Sequence, residues 1–510
     1  MALGIESPPV PARLRQHSVE LRPWQHPFLT EGNLRAFRSY SEAVWAFAAD
    51  QARGETRPLS CAFVVNMAQN MYNWAKLVQA QDWEVELFPN IMDTSALNAP
   101  EWEEFDGEYG DVMDGSGFLA RHPGIPLKVP CSRVGMDGAA LLQARQEFVS
   151  GTREPLLRLL AQTPQLHHEA LLAYEGIYPY YGLARRLSAY DVSYAAGVPL
   201  GPYASGRPYC AFSVGGDLMF DCGRDDDFGM AMTLAFNAAR FLLTSNPHTL
   251  GHARRLGFTN PVYLPYPIDD ATYCPAPGNA RAEWEARYGP GVYFLSSARI
   301  DASVKGQGRE FFESVLAVCA QHPQARFIFL AWGNDAAALA HEVERAGRKD
   351  RILLLPPVGK RRLLDYYRSC DVVIDQFVYG YYGATALEAA AAGKPVVMRL
   401  REDHYAPLYA GDVAPVVNVT SLAELAGHVG RLACDAAVRS ASGAAMREWV
   451  VRTHGRERTV PLLMSLLRLA ARGTPLPTDF ESPLLAPLSA EEIAYHAGCL
   501  VSEPATSGPQ

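Results

Sequence analysis

The chain has 510 residues, 48% of them hydrophobic and 20% charged, the composition of a folded protein with more than one core rather than of a disordered one. Its formal net charge of -9 excludes a general nucleic-acid binder, which needs a basic face to meet phosphates. Nine cysteines are scattered with no Cys-x-x-Cys pair, so no zinc ribbon or secreted disulfide framework is encoded, and a reducing, cytoplasmic setting is expected.

The segment Met1–Gln16 lacks the apolar core of a signal peptide. No stretch approaches the roughly 18 apolar residues that span a bilayer, which leaves peripheral membrane contact open. Patterning is weak up to Pro58. LSCAFVVN (59–66), a helix from Gln69 to Gln81 and EVELFPN (84–90) then predict a strand–helix–strand unit. Pro100–Pro130, rich in Gly, Asp, Glu and Pro, reads as loop, and 139–173 as helical. YDVSYAAG, YCAFSVGGD, a helix from Met230 to Arg240, FLLTSNP and a helix from His248 to Leu256 follow. The Pro-rich stretch 261–278 marks a boundary, since repeated Pro blocks both helix and central strand.

From Gly291 the rhythm is plainer. The apolar runs VYFLSSA, RFIFLAWG, RILLLPP, DVVIDQF and PVVMRL alternate with helical patterns at 309–320, 335–346, 361–369 and 384–392. Continuous rather than alternating runs suit strands covered on both faces, so a doubly wound parallel sheet is predicted, with ligands at the carboxyl ends of its strands. After Leu422 the chain reads helical to Gly473, with one short helix at Ala490–Ala497 in a polar tail. The expected domains are 1–265 and 275–455, with a helix over 456–480 packing back on the first and 481–510 as tail.

The segment DQFVYGYYGATALEAAAAGKPVV (375–397) carries the sharpest chemical signal. Gly380 and Gly383 let backbone N–H groups approach a ligand at the start of an Ala-rich helix, where the dipole favours anions. An ordinary strand–helix unit with a small-residue packing face has the same pattern. In SSARIDASVKGQG (296–308), Arg299 and Lys305 follow the first strand of the second sheet; taken alone, an Arg and a Lys in such a loop read as surface charges.

These two segments resemble the donor-site motifs of retaining GT-B glycosyltransferases, in particular glycosyltransferase family 4. The first is similar to E-G-F-G-x-x-x-x-E-A-x-A-x-G-x-P-V and the second to G-R-L-x-x-x-K-G. The resemblance implies two Rossmann-like doubly wound domains facing a cleft, and transfer of a sugar from a nucleotide-sugar donor with retention and without a metal or other cofactor. The acceptor stays unassigned among glycan, lipid and small molecule. Arg299 and Lys305 inherit the catalytic clamp on the diphosphate. Glu388 inherits the ribose contact, with Gly380, Tyr381, Tyr382, Gly383 and Ala384 around the donor. Pro357, in ILLLPPV, stands where the family's backbone reads the base. Gly380 replaces the first Glu, which normally meets the donor sugar.

The resemblance is looser in the first half. Asn66, Gln69 and Asn70 occupy the place of a Gly-Gly loop, either as hydroxyl-binding groups or as helix caps. Gly215, Gly216 and Asp217 stand near the family's His-Gly pair, with no His to carry over, and read equally as a strand-ending turn. Asp225–Asp227 has the spacing of a metal-binding D-x-D but reads as a solvated acidic loop. His167, His168, His248 and His252 lack companions for a ligand set, and Tyr178, Tyr180 and Tyr181 suit core packing as well as sugar stacking. GT-B folds also host nucleotide-sugar 2-epimerases, and the missing Glu and His leave a catalytically silent sugar-nucleotide binder as a third reading.

Overall fold

The computed structural model describes residues 25–89, 95–135 and 137–501; the readings made of Met1–Gln16 and of the last nine residues lie outside them. Two six-stranded sheets organise the chain. The first has the order β2-β1-β3-β4-β5-β6, from β1 (Ser60–Val64), β2 (Glu84–Phe88), β3 (Val192–Ala196), β4 (Tyr209–Phe212), β5 (Leu242–Thr244) and β6 (Pro261–Tyr263). The second has the order β12-β11-β10-β7-β8-β9, from β7 (Val292–Ser296), β8 (Ala325–Leu330), β9 (Ile352–Leu355), β10 (Val372–Ile374), β11 (Val396–Met398) and β12 (Val417–Asn418).

The second sheet is parallel at every pairing, β7 lying between β8 and β10. Strands added after β9 therefore grow from the opposite side of β7. Their loops diverge between β7 and β10, which opens a crevice at the carboxyl ends. Phe294, Phe327, Ile352, Val372, Ile374 and Val397 lie in the core of this sheet with helix residues Phe311, Val315 and Val318. The Phe294 and Phe327 rings stack at 5.0 Å. Elements read from 291 onward match closely: helices Arg309–Gln321, Ala336–Arg345, Lys360–Ser369 and Ala384–Ala391 stand where expected.

Two expectations need correction, and the helical reading of 139–173 gains detail. The weakly patterned N-terminal stretch holds a helix of 22 residues, Glu31–Ala52. Its buried face includes Leu34, Phe37, Ser41, Val44, Trp45 and Ala48, a helical spacing interrupted by the polar Ser41. That serine is needed, because its Oγ accepts a hydrogen bond from Tyr263 N (3.0 Å) while Trp45 Nε1 donates to Tyr263 O (2.9 Å). Both bonds hold the edge strand β6, the position in which a sheet tolerates Pro261.

Pro100–Pro130 is not all loop. It contains helices Pro100–Glu104 and Gly115–Arg121, held by a small core of Ala96, Ala99, Trp102, Tyr109, Val112 and Phe118. Both helices are too short for periodicity to register. The region 139–173 divides into three helices, Ala139–Val149, Glu154–Ala161 and His168–Ala173.

By packing the chain forms two compact units. One is made of the described parts of Met1–Ala52, Val134–Tyr263 and Leu467–Gln510, the other of Arg53–Arg133 and Leu264–Leu466. In the second unit the helix Ala436–His454 lies against the turn that ends helix Ala384–Ala391, and a Cβ on Gly443 would stand 2.2 Å from Gly393 O. Gly443→Ala should therefore cost about 1–3 kcal/mol through overpacking. Urea denaturation checks this, and unchanged stability would mean that the contact does not hold helix Ala384–Ala391 in place.

Candidate functional site

The loop after β7 runs from Ser297 to Lys305. Asp301 caps the short helix Ala302–Lys305, its Oδ1 accepting from Ser303 N and Val304 N at 3.1 and 2.9 Å. Lys305 ends this turn and Gly306 follows at φ +76°. A Cβ on Gly306 would come 3.0 Å from the Phe377 Cβ, and Phe377 N donates to Lys305 O at 2.8 Å. The Lys-Gly step is thus where the loop after β7 locks onto the loop after β10. Lys305 Nζ reaches Gln376 Oε1 at 3.4 Å, and the Gln376 amide in turn donates to Tyr381 O. Arg299 lies nearby, half-buried, with its Nε 3.7 Å from Asp301 Oδ2. Burial pushes the carboxyl of Asp375, at the end of β10, above the usual range, and the Lys305 charge opposes the rise.

Gly380 needs to be glycine. Its φ is +76°, its carbonyl accepts from Arg401 N at 2.8 Å, and a Cβ there would stand 2.5 Å from Arg401 Cγ. Arg401, at the carboxyl end of β11, thus closes on the position at which the resembling motif carries a Glu. Its guanidinium pairs with Asp403 at 3.0 and 2.8 Å. Gly383 is the N-cap of helix Ala384–Ala391 and brings no side chain to its first turn, where backbone N–H groups lack intrahelical partners. Ala384 is the first residue of that helix.

The two tyrosines between these glycines do not present their rings to a ligand. The Tyr381 hydroxyl bonds His404 Nδ1 at 2.8 Å, and Tyr382 stacks on Tyr405 at 4.3 Å within a cluster that includes Trp449 and His454. Both are buried, so only their backbone faces the loop. Glu388 is buried and held by Lys360, whose Nζ donates to its two oxygens at 2.6 and 2.8 Å, while Tyr367 donates at 3.3 Å. Burial pushes the Glu388 carboxyl up and Lys360 pulls it back down. This partner stands 28 residues away, at the start of the helix after β9, and motif spacing does not report it.

Pro357 lies at the turn after β9, where it offers a carbonyl but no N–H. That carbonyl accepts from Tyr109 N at 2.9 Å.

The residues singled out in the first half hold structure. Asn66 Nδ2 donates to Gln69 Oε1 (3.0 Å) and Asn98 O (2.9 Å), and its Oδ1 accepts from Tyr72 N (2.8 Å). Gln69 Nε2 donates to Leu97 O and Ala99 O at 2.7 and 2.8 Å. These amides tie the loop after β1 to residues 97–99. Asn70 starts the helix Asn70–Gln79 and is buried. Val65, Ala68 and Gln69 all have positive φ (63°, 48° and 67°), so this turn is made by side-chain-bearing residues under strain.

Asp217 is likewise internal. Its carboxylate accepts from Ser213 Oγ, Leu218 N and Val214 N at 2.8, 2.8 and 3.1 Å, and burial still pushes its pKa up to about 7. Gly215 has φ +96°, a Cβ there would sit 3.3 Å from His248 Nε2, and Gly216 follows as the N-cap of the turn Asp217–Asp221. Of the acidic run, Asp226 caps helix Asp227–Ala238 through Gly229 N (2.8 Å) and pairs with Arg224. Among the described residues no helix is long and apolar enough to cross a membrane.

The two parallel sheets make the GT-B architecture. The fold is shared with sucrose-phosphate synthase of Thermosynechococcus elongatus (TM-score 0.53, 16% identity, 82% of this chain and 100% of that one). It is shared as well with Anabaena HepE, solved in complex with UDP-glucose (TM-score 0.50, 13% identity, 81% and 99%). Residues 291–435, which carry β7 to β12, match the family described as Glycosyl transferases group 1. A stretch of 64 residues is 48% identical to D-inositol 3-phosphate glycosyltransferase of Xylanimonas cellulosilytica, covering 12% of this chain and 15% of that protein. The counterpart from Mycolicibacterium smegmatis is 32% identical over 89 residues, 16% and 20% of the two lengths. The chain thus spans a fifth or less of the curated relatives it matches.

The Lys360–Glu388 pair sets a direct test of this geometry. Lys360 is 15% exposed and Glu388 3%, so Glu388→Ala strands a largely buried ammonium and should destabilise the protein by about 3–5 kcal/mol. Lys360→Met in the same chain should recover much of that loss. Thermal and urea unfolding of the two variants measure both effects; a double variant as unstable as the single one would show that the pair is not the source.

Proposed function

We propose that the chain is a glycosyltransferase that moves a sugar from a nucleotide-sugar donor to an acceptor hydroxyl, with UDP-sugars the first donors to test. The observation that carries this reading is that the loop after β7, which bears Arg299 and Lys305, locks onto the loop between β10 and helix Ala384–Ala391 through Phe377 N and Lys305 O, inside the stretch that matches Glycosyl transferases group 1. The solved complex of Anabaena HepE with UDP-glucose supports the choice of nucleotide.

In the transfer, the bond between the sugar C1 and the diphosphate oxygen breaks and its electron pair goes to that oxygen. The acceptor oxygen forms the new bond to C1 and passes its proton to the departing diphosphate oxygen. Negative charge grows on the leaving diphosphate, where Arg299, Lys305 and the helix N-terminus supply a positive field. We read the reaction as retaining and independent of a metal, in keeping with the family 4 motifs that Lys305-Gly306 and Glu388 resemble. Gly380, Gly383, Ala384 and Pro357 would line the donor through their backbone, and Tyr381 and Tyr382 would contribute in the same way. Glu388 would meet the donor ribose, as the motif implies, with Lys360 holding its carboxylate.

A group that stabilises the leaving charge lowers the barrier more than it tightens the ground state. Lys305→Ala should lower kcat by a factor on the order of 10²–10³, Arg299→Ala should act in the same direction, and the double variant should fall short of the product. Steady-state kinetics with the donor that a thermal-shift screen of UDP-, GDP-, ADP-, CDP- and dTDP-sugars identifies would check this. Wild-type kcat with a raised KM in both variants would make them binding contacts only.

A further inference from the structure

The segment between the two short helices at Pro100–Glu104 and Gly115–Arg121 crosses the end of β9. Gly359 N donates to Gly107 O at 2.9 Å, Tyr109 N donates to Pro357 O at 2.9 Å, and Arg361 N reaches Phe105 O at 3.3 Å. Glu108 and Val358 face each other in an antiparallel bridge. The approach is close enough to demand glycine at 359, since a Cβ there would stand 2.3 Å from Phe105 O. Residues 105–109 thus lie as an added strand along the backbone edge 357–361.

That edge is the one at which a nucleotide base would be read if the donor site lies where proposed. Pro357 has no N–H, so its carbonyl is the one polar backbone group it can offer, and Tyr109 takes it. Asp106 lines a cavity of about 650 Å³ whose walls carry both signs of charge, Lys360, Arg361 and Arg362 with Glu103, Glu104 and Asp365. The segment is anchored from behind, where the Tyr109 and Trp102 rings pack on Phe118 at 5.3 Å each. Trp332, after β8, packs on the same cluster and donates to Ser297 O at 3.2 Å, two residues before Arg299. Between these anchors Asp106 and Glu108 are exposed.

We propose that Phe105–Tyr109 is a built-in strap over the base-reading edge of the donor site, and that a nucleotide binds once the strap has left it. The proposal rests on the donor-site reading above. A strap that is closed most of the time lowers apparent nucleotide affinity in proportion to the open fraction. It thereby couples the reaction to whatever moves helices Pro100–Glu104 and Gly115–Arg121.

The test uses the full-length chain and UDP as probe. In Glu108→Cys/Val358→Cys, a disulfide between the facing positions pins the strap shut. Calorimetric titration should give UDP binding at least tenfold weaker in the oxidised form than after reduction with dithiothreitol. In a second variant, Tyr109→Pro, loss of the N–H frees Pro357 O and should tighten UDP binding several-fold. Equal affinity in the oxidised and reduced forms, or weaker binding by Tyr109→Pro, would overturn the strap and make the segment a fixed wall. If wild type and the reduced variant bind neither UDP nor GDP, ADP, CDP or dTDP, the donor-site reading fails and the strap falls with it; UDP binding that ignores the lock sinks the strap alone.

Discussion

Everything proposed for this chain depends on the parallel pairing of β7 with β10. Val372 and Val373 register against Phe294 and Leu295, and this one junction reverses the direction in which the sheet grows. In an open α/β sheet the loops on either side of such a junction cannot pack on each other along their length, so a crevice forms there without any residue being spent to hollow it out. What the sequence must add is a lock that keeps the two loops at a fixed separation. Gly306 supplies it by letting Phe377 approach, and the bond from Phe377 N to Lys305 O fixes the lysine to the loop it faces. A cation held in this way is already in place when charge develops, and preorganised charge is the kind that lowers a barrier.

Around that junction, charges have been arranged in pairs. Glu388 is matched by Lys360, Arg401 by Asp403, and Lys305 faces the buried Asp375 across Gln376. A buried carboxylate without a partner would take up a proton instead of staying charged; burial pushes the Glu388 carboxyl up, and Lys360 opposes the rise while engaging both of its oxygens. The replacement of the first Glu by Gly380 fits the same logic. With Arg401 Cγ 2.5 Å from where a Cβ would be, no side chain has room, and the arginine that takes the space brings its own carboxylate.

Legibility in the sequence followed the length and regularity of the elements. The second sheet was readable from Gly291 onward because buried parallel strands give unbroken apolar runs, and the helices between them are long enough for a 3.6-residue period to appear. The helix Glu31–Ala52 was missed although its spacing is regular, since Ser41 interrupts the apolar stripe to serve β6. The strap region was read as loop because its helices are of five and seven residues, shorter than periodicity can report. At the site, Lys305, Gly306, Gly380 and Glu388 were found through motif spacing, which reports neighbours along the chain. Lys360, Gln376, Arg401 and Tyr109 were not, because each meets its partner only after the sheet has brought distant loops together. Asn66 and Gln69, which read equally as hydroxyl-binding groups or helix caps, form bonds that hold the loop itself, a role that only the folded arrangement of residues 97–99 makes visible.

The central claim is that the crevice between β7 and β10 receives the diphosphate of a nucleotide. A crystal structure of the chain grown with UDP tests it most directly. The account predicts diphosphate oxygens within hydrogen-bond distance of Lys305 Nζ and of the first backbone N–H groups of helix Ala384–Ala391, with Arg299 turned toward them. A diphosphate bound elsewhere, for instance along the basic edge of Lys360, Arg361 and Arg362, with Lys305 still on Gln376, would contradict it.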